Sequence, residues 1–188
     1  AYPSDLGRAR QARLGPNNPA EPDEDDLAIA NRVGQALLAA ACCPRLDVFL
    51  DTFCDVDRNY FPHHGLVDRR YDPRLAAHVV TNMHAVLPEA GPTLAPLDRG
   101  ESDGLAWFSA GTVRSQWLLL TAATPVVRGE LALPPSAARG KVRAIDLGWG
   151  RPWQGRAAGG CVTLPSAMRI EAPLLLRVDR TDEPHHGG

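Results

Sequence analysis

Hydrophobic positions divide the chain into a helical half and a strand half. Between Asp25 and Pro44, apolar residues recur at spacings of three and four, which predicts a first helix. A second, short helix is predicted over about 45–54, where apolar residues occupy positions i, i+3, i+4 and i+7. A third is expected to begin with Asp72 as its N-cap and Pro73 in its first turn. The helical half therefore covers 25–90.

After Pro96 the hydrophobic period changes to two residues, which is typical of half-buried β-strands. Strands are predicted over six segments: 104–109, 112–121, 126–133, 141–147, 160–164 and 168–178. The last segment alternates most clearly, and Pro173 within it predicts an edge position or a bulge. The strand half therefore covers 104–179.

Helices followed by strands predict an α+β fold, with N-terminal helices packed on a C-terminal antiparallel sheet or partial barrel. The length of 188 residues fits a single core, placed over 25–180. Residues 1–24 are rich in Pro and Gly and are predicted to be a flexible, irregular arm, and 181–188 a tail.

The charge is nearly balanced, with 20 basic and 22 acidic residues, which disfavours nucleic acid as a partner. No apolar run reaches the roughly 18 to 20 residues of a membrane span. All basic residues except Lys141 are Arg, which suggests a high-GC bacterium or DNA virus. A soluble cytoplasmic or host-intracellular protein is favoured over a secreted one, although a bridge between Cys54 and Cys161 stays open. No cofactor is predicted.

The densest group of polar residues lies over 55–68, between two predicted helices. A calcium loop is excluded, because Tyr60 stands where a sharp turn needs Gly and Leu66 where a bidentate Glu should close the shell. A transition-metal site is disfavoured as well, since adjacent His63 and His64 on an extended segment point to opposite sides. No metal site is predicted.

Two short motifs resemble the CoA-dependent acyltransferase and condensation-domain superfamily. His63-His64-Gly-Leu-Val-Asp68 resembles its H-H-x-x-x-D signature, and 146–152 (Asp-Leu-Gly-Trp-Gly-Arg-Pro) resembles its D-F-G-W-G-K-P element. The resemblance implies that His64 is the general base, that Asp68 orients local structure, and that a CoA thioester is a substrate. Those enzymes are pseudo-dimers usually more than twice this length, so the resemblance implies at most a diminished acyltransferase.

The preferred hypothesis is a non-enzymatic interaction domain that contacts a protein partner or a second copy of itself. Trp149 and Trp153 belong to a group of four tryptophans in the strand half, which is expected to form a core cluster rather than an exposed platform. Gly148 and Gly150 are expected to supply positive φ angles in the turn beside Trp149. Arg69 and Arg70 lie among acidic residues, as on a solvated surface. These two tryptophans and two arginines are the predicted partner-binding residues.

Overall fold

The computed structural model of the protein describes residues 10–14, 26–43, 45–50, 53–54, 65–90 and 94–180. Within these ranges the chain forms two α-helices, a two-stranded sheet and an eight-stranded sheet. The first four elements are β1 (Arg10–Leu14), α1 (Asp26–Cys42), β2 (Leu46–Leu50) and α2 (Leu75–Val86). They are followed by β3 (Ala95–Ser102), β4 (Leu105–Gly111), β5 (Ser115–Ala122), β6 (Val126–Ala132), β7 (Gly140–Asp146), β8 (Arg151–Ala158), β9 (Cys161–Ile170) and β10 (Leu174–Asp179). Short 3₁₀ helices cover Leu87–Ala90 and Pro135–Ala137.

The first helix is confirmed as α1, but the second predicted helix is wrong. Residues 46–50 form strand β2, in which side-chain exposure alternates with a period of two. A short apolar run fits both the helical and the strand period, and here pairing with β1 decides between them. Strand β1 itself lies inside the arm that was expected to be irregular, and it runs parallel to β2 with Arg10 opposite Leu46.

Helix α2 begins two residues later than the Asp72-Pro73 pair predicts, at Leu75, with Arg74 as its N-cap. Pro73 forms an isolated antiparallel bridge with Val67, and the Asp72 carbonyl accepts the N–H of Asp68 at 2.9 Å. These contacts hold the residues before the helix in an extended conformation. The predicted N-cap at Asp72 is therefore wrong.

The large sheet is antiparallel throughout, with the strand order β3-β4-β5-β10-β7-β8-β9-β6. It is open rather than a closed barrel, because its edge strands β3 and β6 do not pair. The two edges nevertheless approach each other, since the guanidinium of Arg128 on β6 donates to the carbonyl of Asp103 in the β3–β4 turn. The predicted α+β fold with helices on an antiparallel sheet is confirmed at this level.

Two hydrophobic clusters lie on opposite faces of the central strands. Leu174 and Leu176 of β10 contribute to a cluster formed by the sheet strands and the β6–β7 connection, whereas Leu175 contributes to a second cluster shared with α1 and α2. Strand β5 is divided in the same way and is buried at every position. Burial on both faces explains why these segments are nearly continuous apolar runs.

The predicted strand over 168–178 is two strands joined by a short connection. Pro173 lies in this connection, where its carbonyl accepts the N–H of Leu147 at 3.0 Å. The edge position predicted from Pro173 is wrong, because β10 lies between β5 and β7 in the middle of the sheet. Strands β3 and β8 were not predicted. Strand β3 begins before the segment assigned to strands, and β8 begins in the 146–152 segment, which was interpreted as a turn, and continues through residues left unassigned.

Neither helix in the described part of the chain combines the length and apolar character that a membrane span requires.

Candidate functional site

Trp149 is displayed on the tight turn that joins β7 to β8. Oδ1 of Asp146 accepts the backbone N–H of Gly148 at 2.8 Å and that of Trp149 at 3.2 Å. The Asp146 carbonyl also accepts the N–H of Gly150 at 2.8 Å. Asp146 is buried and therefore fixes the turn from inside, while the indole above it projects outward.

The two glycines of this turn are required for different reasons. Gly150 has a φ of +65°, as predicted, and a Cβ there would lie 3.0 Å from Oδ1 of Asn82 on α2. Gly148 does not have the predicted positive φ. A Cβ at Gly148 would instead lie 2.7 Å from Cβ of Ala172 and 2.9 Å from Cδ1 of Leu75. The turn is thus packed closely against α2 and the β9–β10 connection.

The four tryptophans do not form one core cluster. Trp117 is fully buried, and Trp107 and Trp153 are partly buried against the cluster formed by the sheet strands. Trp149 is 63% exposed, so the expectation of a buried indole is wrong at this position. Trp149 lies in the turn between β7 and β8, and it belongs to neither hydrophobic cluster. This position explains why its indole is exposed while the other three are buried or partly buried.

An open depression of about 370 Å³ lies beside this turn, and we call it the β8–β9 wedge. It is bordered by the beginning of β8 and the end of β9, including Asp146, Trp149, Arg151, Trp153, Arg169 and Glu171. The structure therefore places two of the predicted partner-binding residues, Trp149 and Trp153, on one surface. Arg151, Arg169 and Glu171 were not predicted as site residues. Arg151 entered the sequence analysis only as part of the 146–152 motif.

Arg151 lies over the Trp149 indole, with its guanidinium carbon 5.7 Å from the ring centroid. A cation over an aromatic face is attracted by the ring quadrupole. This contact favours one orientation of an otherwise exposed ring. Across the wedge, Arg169 and Glu171 form an exposed ion pair at 3.1 Å.

A second distinctive surface is the face of β2 that carries Asp47 and Phe49. Both side chains are exposed, and Phe49 is 53% exposed. Leu46, Val48 and Leu50 alternate with them and are half-buried, with Leu50 packed against the helical cluster. The strand therefore has a covered face and an exposed face with an aromatic side chain. We call the exposed face of Asp47 and Phe49 the β2 outer face.

Asp68 holds its own turn together. Its Oδ1 accepts the N–H of Arg70 at 2.7 Å and that of Asp72 at 2.9 Å. The hydrogen bond from Asp72 is the main reason that the pKa of the Asp68 carboxyl is below its ordinary value, and the N–H and guanidinium of Arg70 and the charge of Arg74 lower it further. Arg69 and Arg70 are exposed on this turn, which precedes α2 and is separate from the residues named around the wedge.

The acyltransferase hypothesis stays a prediction. Its proposed base, His64, and the neighbouring His63 lie outside the described residues. Asp68 and Asp146 both use carboxylate oxygens to hold local backbone turns. A His64→Ala variant tested for acyl-CoA hydrolysis or transfer would decide it.

No group of three His, Cys, Asp or Glu side chains that could hold a metal ion occurs among the described residues. The four cysteines lie within these ranges and form no disulfide with one another. Cys54 instead donates its thiol to the Asp68 carbonyl at 3.4 Å. Cys54 and Cys161 are both free thiols, so the structure does not contain the bridge considered between them.

No protein-family model matches the sequence, and no curated protein sequence is significantly similar to it. Solved structures, however, share its fold. A noncanonic maltogenic α-amylase from Thermotoga neapolitana aligns with 96% of this chain at a TM-score of 0.52 and 7% identity. A family 30 subfamily 8 xylanase from Clostridium acetobutylicum aligns with 90% at a TM-score of 0.51 and 11% identity. A family 30 endoxylanase from Clostridium papyrosolvens aligns with 84% at a TM-score of 0.50 and 9% identity.

These similarities establish a shared fold and nothing beyond it. Sequence identities of 7–11% are too low to transfer an activity from these enzymes to this chain. The alignment covers 43%, 41% and 39% of the three enzymes, so the chain spans about two fifths of their length. Almost the whole chain corresponds to less than half of each larger protein.

Proposed function

We propose that this chain is a non-catalytic interaction domain of a carbohydrate-acting protein, in which the β1–β2 pair joins the parallel sheet of an α/β domain. The proposal rests on two observations. Strands β1 and β2, which helix α1 connects, pair in parallel, and the β2 outer face is exposed.

Parallel strands rarely stand alone. They occur almost entirely in sheets that are covered on both faces, and a two-stranded sheet is at best marginally stable in water. In this chain, β2 is covered on one side only, with Phe49 exposed on the other. An additional parallel strand, and the apolar interior of an α/β domain over Phe49, would supply both missing contacts.

The element order β1-α1-β2-α2 indicates the kind of domain that this partner is. Alternating strands and helices with parallel pairing are typical of α/β sheets, in which each strand is followed by a crossover helix. The partner is therefore expected to contribute strands of the same parallel kind rather than a hairpin or an isolated helix.

The comparisons support the part of the proposal that places this chain in a carbohydrate-acting protein. The three enzymes of similar fold are an amylase and two xylanases, and each is more than twice as long as the part that aligns with this chain. The antiparallel sheet would serve in this arrangement as the supporting framework of the larger protein.

The test compares Phe49→Asp in two settings, namely the protein as purified from its source and the isolated 188-residue chain. In the source protein we expect the charge to weaken an apolar junction and to lower the Tm by several degrees, about 2–4 °C for each kcal/mol lost from a larger domain. In the isolated chain the exposed side chain makes little contact, so the Tm should change by about 1 °C or less.

Val113→Asp is the matched control. Val113 is 89% exposed in the β4–β5 turn, and it is far in sequence from the segment that contains β1, α1 and β2. It should leave the Tm unchanged in both settings. Equal effects of Phe49→Asp in the source protein and in the isolated chain would overturn the proposal. Mass measurement of the source protein shows whether the α/β domain is on the same polypeptide.

A further inference from the structure

We propose that the β8–β9 wedge binds a neutral saccharide, with Trp149 as the platform on which one sugar ring lies. This inference goes beyond the proposed junction with an α/β domain and uses a different surface, so either can fail without the other.

The wedge arises because two neighbouring strands separate. In the part of the chain that the structure describes, β8 and β9 pair at Ala157–Val162 and Ala158–Cys161, next to their connecting turn. Further along, β8 continues to pair with β7 as far as Arg151. Strand β9 pairs with β6 over 161–163 and again over 168–170, with a register shift between the two stretches. The opening between the two strands lies beside this irregular part of β9, and Ser166 and Met168 border it.

The size of the opening suits part of a carbohydrate chain. A volume of about 370 Å³ lies at the small end of the range of roughly 300–1,000 Å³ for small-molecule sites. The opening is bordered by exposed side chains, including Trp149 and Arg169, so an extended chain can enter from the side. A site of this shape accommodates one or a few units of a longer polymer.

An exposed, fixed indole is the first recognition element. A pyranose ring presents C–H groups on one face, and this apolar face packs against the electron-rich face of an aromatic ring. Trp149 is suited to this contact because its backbone is anchored by Asp146 and its ring is held by Arg151. A ring that is already ordered loses little conformational freedom on binding.

Trp153 supplies a second aromatic wall. Its indole is partly buried against the core cluster of the sheet and also borders the wedge. Because one side of this ring is packed against the core, it adds an apolar surface of fixed position beside the exposed Trp149.

The charged groups around the wedge favour a neutral ligand. Arg151 and Arg169 are balanced by Asp146 and Glu171, and the last forms the ion pair with Arg169. A phosphate or other anion would meet two acidic groups as well as two basic ones. Guanidinium and carboxylate groups also offer paired donors and acceptors, which match the neighbouring hydroxyls of a sugar.

The test is isothermal titration calorimetry of the full chain with xylohexaose, maltohexaose and cellohexaose. We expect at least one of the three to bind, and Trp149→Ala to weaken that binding on the order of tenfold, equivalent to about 1.4 kcal/mol. Trp149→Phe should retain an intermediate affinity, because it keeps a smaller aromatic face.

Tyr71→Asn is the matched control. Tyr71 is an exposed aromatic residue on the turn before α2, and Asn tolerates its φ of +66°. The affinity of this variant should stay within a factor of about two of the wild type.

Two outcomes would overturn the saccharide proposal: no heat of binding with any of the three probes at millimolar concentration, or undiminished affinity of a correctly folded Trp149→Ala variant. Neither of these results bears on the junction test, which depends on Phe49 and on the source protein.

Discussion

The side-chain amide of Asn82 on α2 donates to the carbonyl of Leu147 at 2.8 Å, and this bond fastens the helix to the turn that displays Trp149. Asn82 is 65 residues away from Leu147 in sequence. The position of the exposed indole therefore depends on a helix from the other half of the chain.

Asn82→Ala is expected to lower the free energy of unfolding by about 1–2 kcal/mol, because the Leu147 carbonyl loses its side-chain donor. Urea denaturation should show a lower midpoint with an unchanged m-value. Thr81→Ala is the neighbouring control, since the exposed Thr81 hydroxyl donates to the Ala77 carbonyl within the same helix. Its effect should stay within about 0.5 kcal/mol. Equal midpoints for Asn82→Ala and the wild type would contradict the anchoring role.

Gly148→Ala is expected to destabilise the protein by about 1–3 kcal/mol, because an added methyl group overpacks the site between the turn, Leu75 and Ala172. The comparison is Gly129→Ala, since a Cβ at Gly129 would meet nothing within 4 Å. That variant should be neutral or slightly stabilising, as Ala reduces the freedom of the unfolded chain. Thermal unfolding of the two variants distinguishes a packing requirement at Gly148 from a general cost of replacing glycine.

Asp68 is expected to contribute a pH-dependent part of the stability. Because the pKa of its carboxyl is lower in the folded chain than its ordinary value of 3.8, folding favours the ionised form. The contribution is present above that value and is lost as the pH falls through the lower, folded-state pKa. NMR titration of the Asp68 carboxyl should give a midpoint below 3.8. Asp68→Asn should flatten the fall of stability in this acidic range, and an ordinary midpoint would contradict the expected hydrogen bonding.

Cys42 and Cys43 are expected to react at different rates with a thiol reagent. Burial is the main cause that raises the pKa of the Cys42 thiol, with the neighbouring Cys43 adding to it. A raised pKa leaves less thiolate, which is the reactive form, and Cys43 is exposed. Iodoacetamide labelling near pH 8 followed by peptide mass spectrometry should therefore modify Cys43 first. Faster labelling of Cys42 would contradict the burial of its side chain.

The sequence predicted much of the antiparallel sheet but little of the candidate sites. The β7–β8 turn was expected from Gly148 and Gly150, with a positive φ at both residues. Only Gly150 has a positive φ. Glycine is needed at position 148 because a Cβ there would clash with Leu75, from the other half of the chain. Such a contact cannot be deduced from local composition. The exposure of Trp149 was likewise not predictable, because an indole in a strand-rich segment fits a core equally well.

Local patterns by themselves determined helix α1, most of the antiparallel strands and the α+β class, because each requires a hydrophobic period sustained over many residues. Only the tertiary structure decided that residues 46–50 are a strand, since five residues satisfy either period and a parallel partner 36 positions earlier supplies the hydrogen bonds. It also decided that β8 and β9 diverge beside Trp149. Both features depend on contacts between distant segments, which carry no local signature in the sequence.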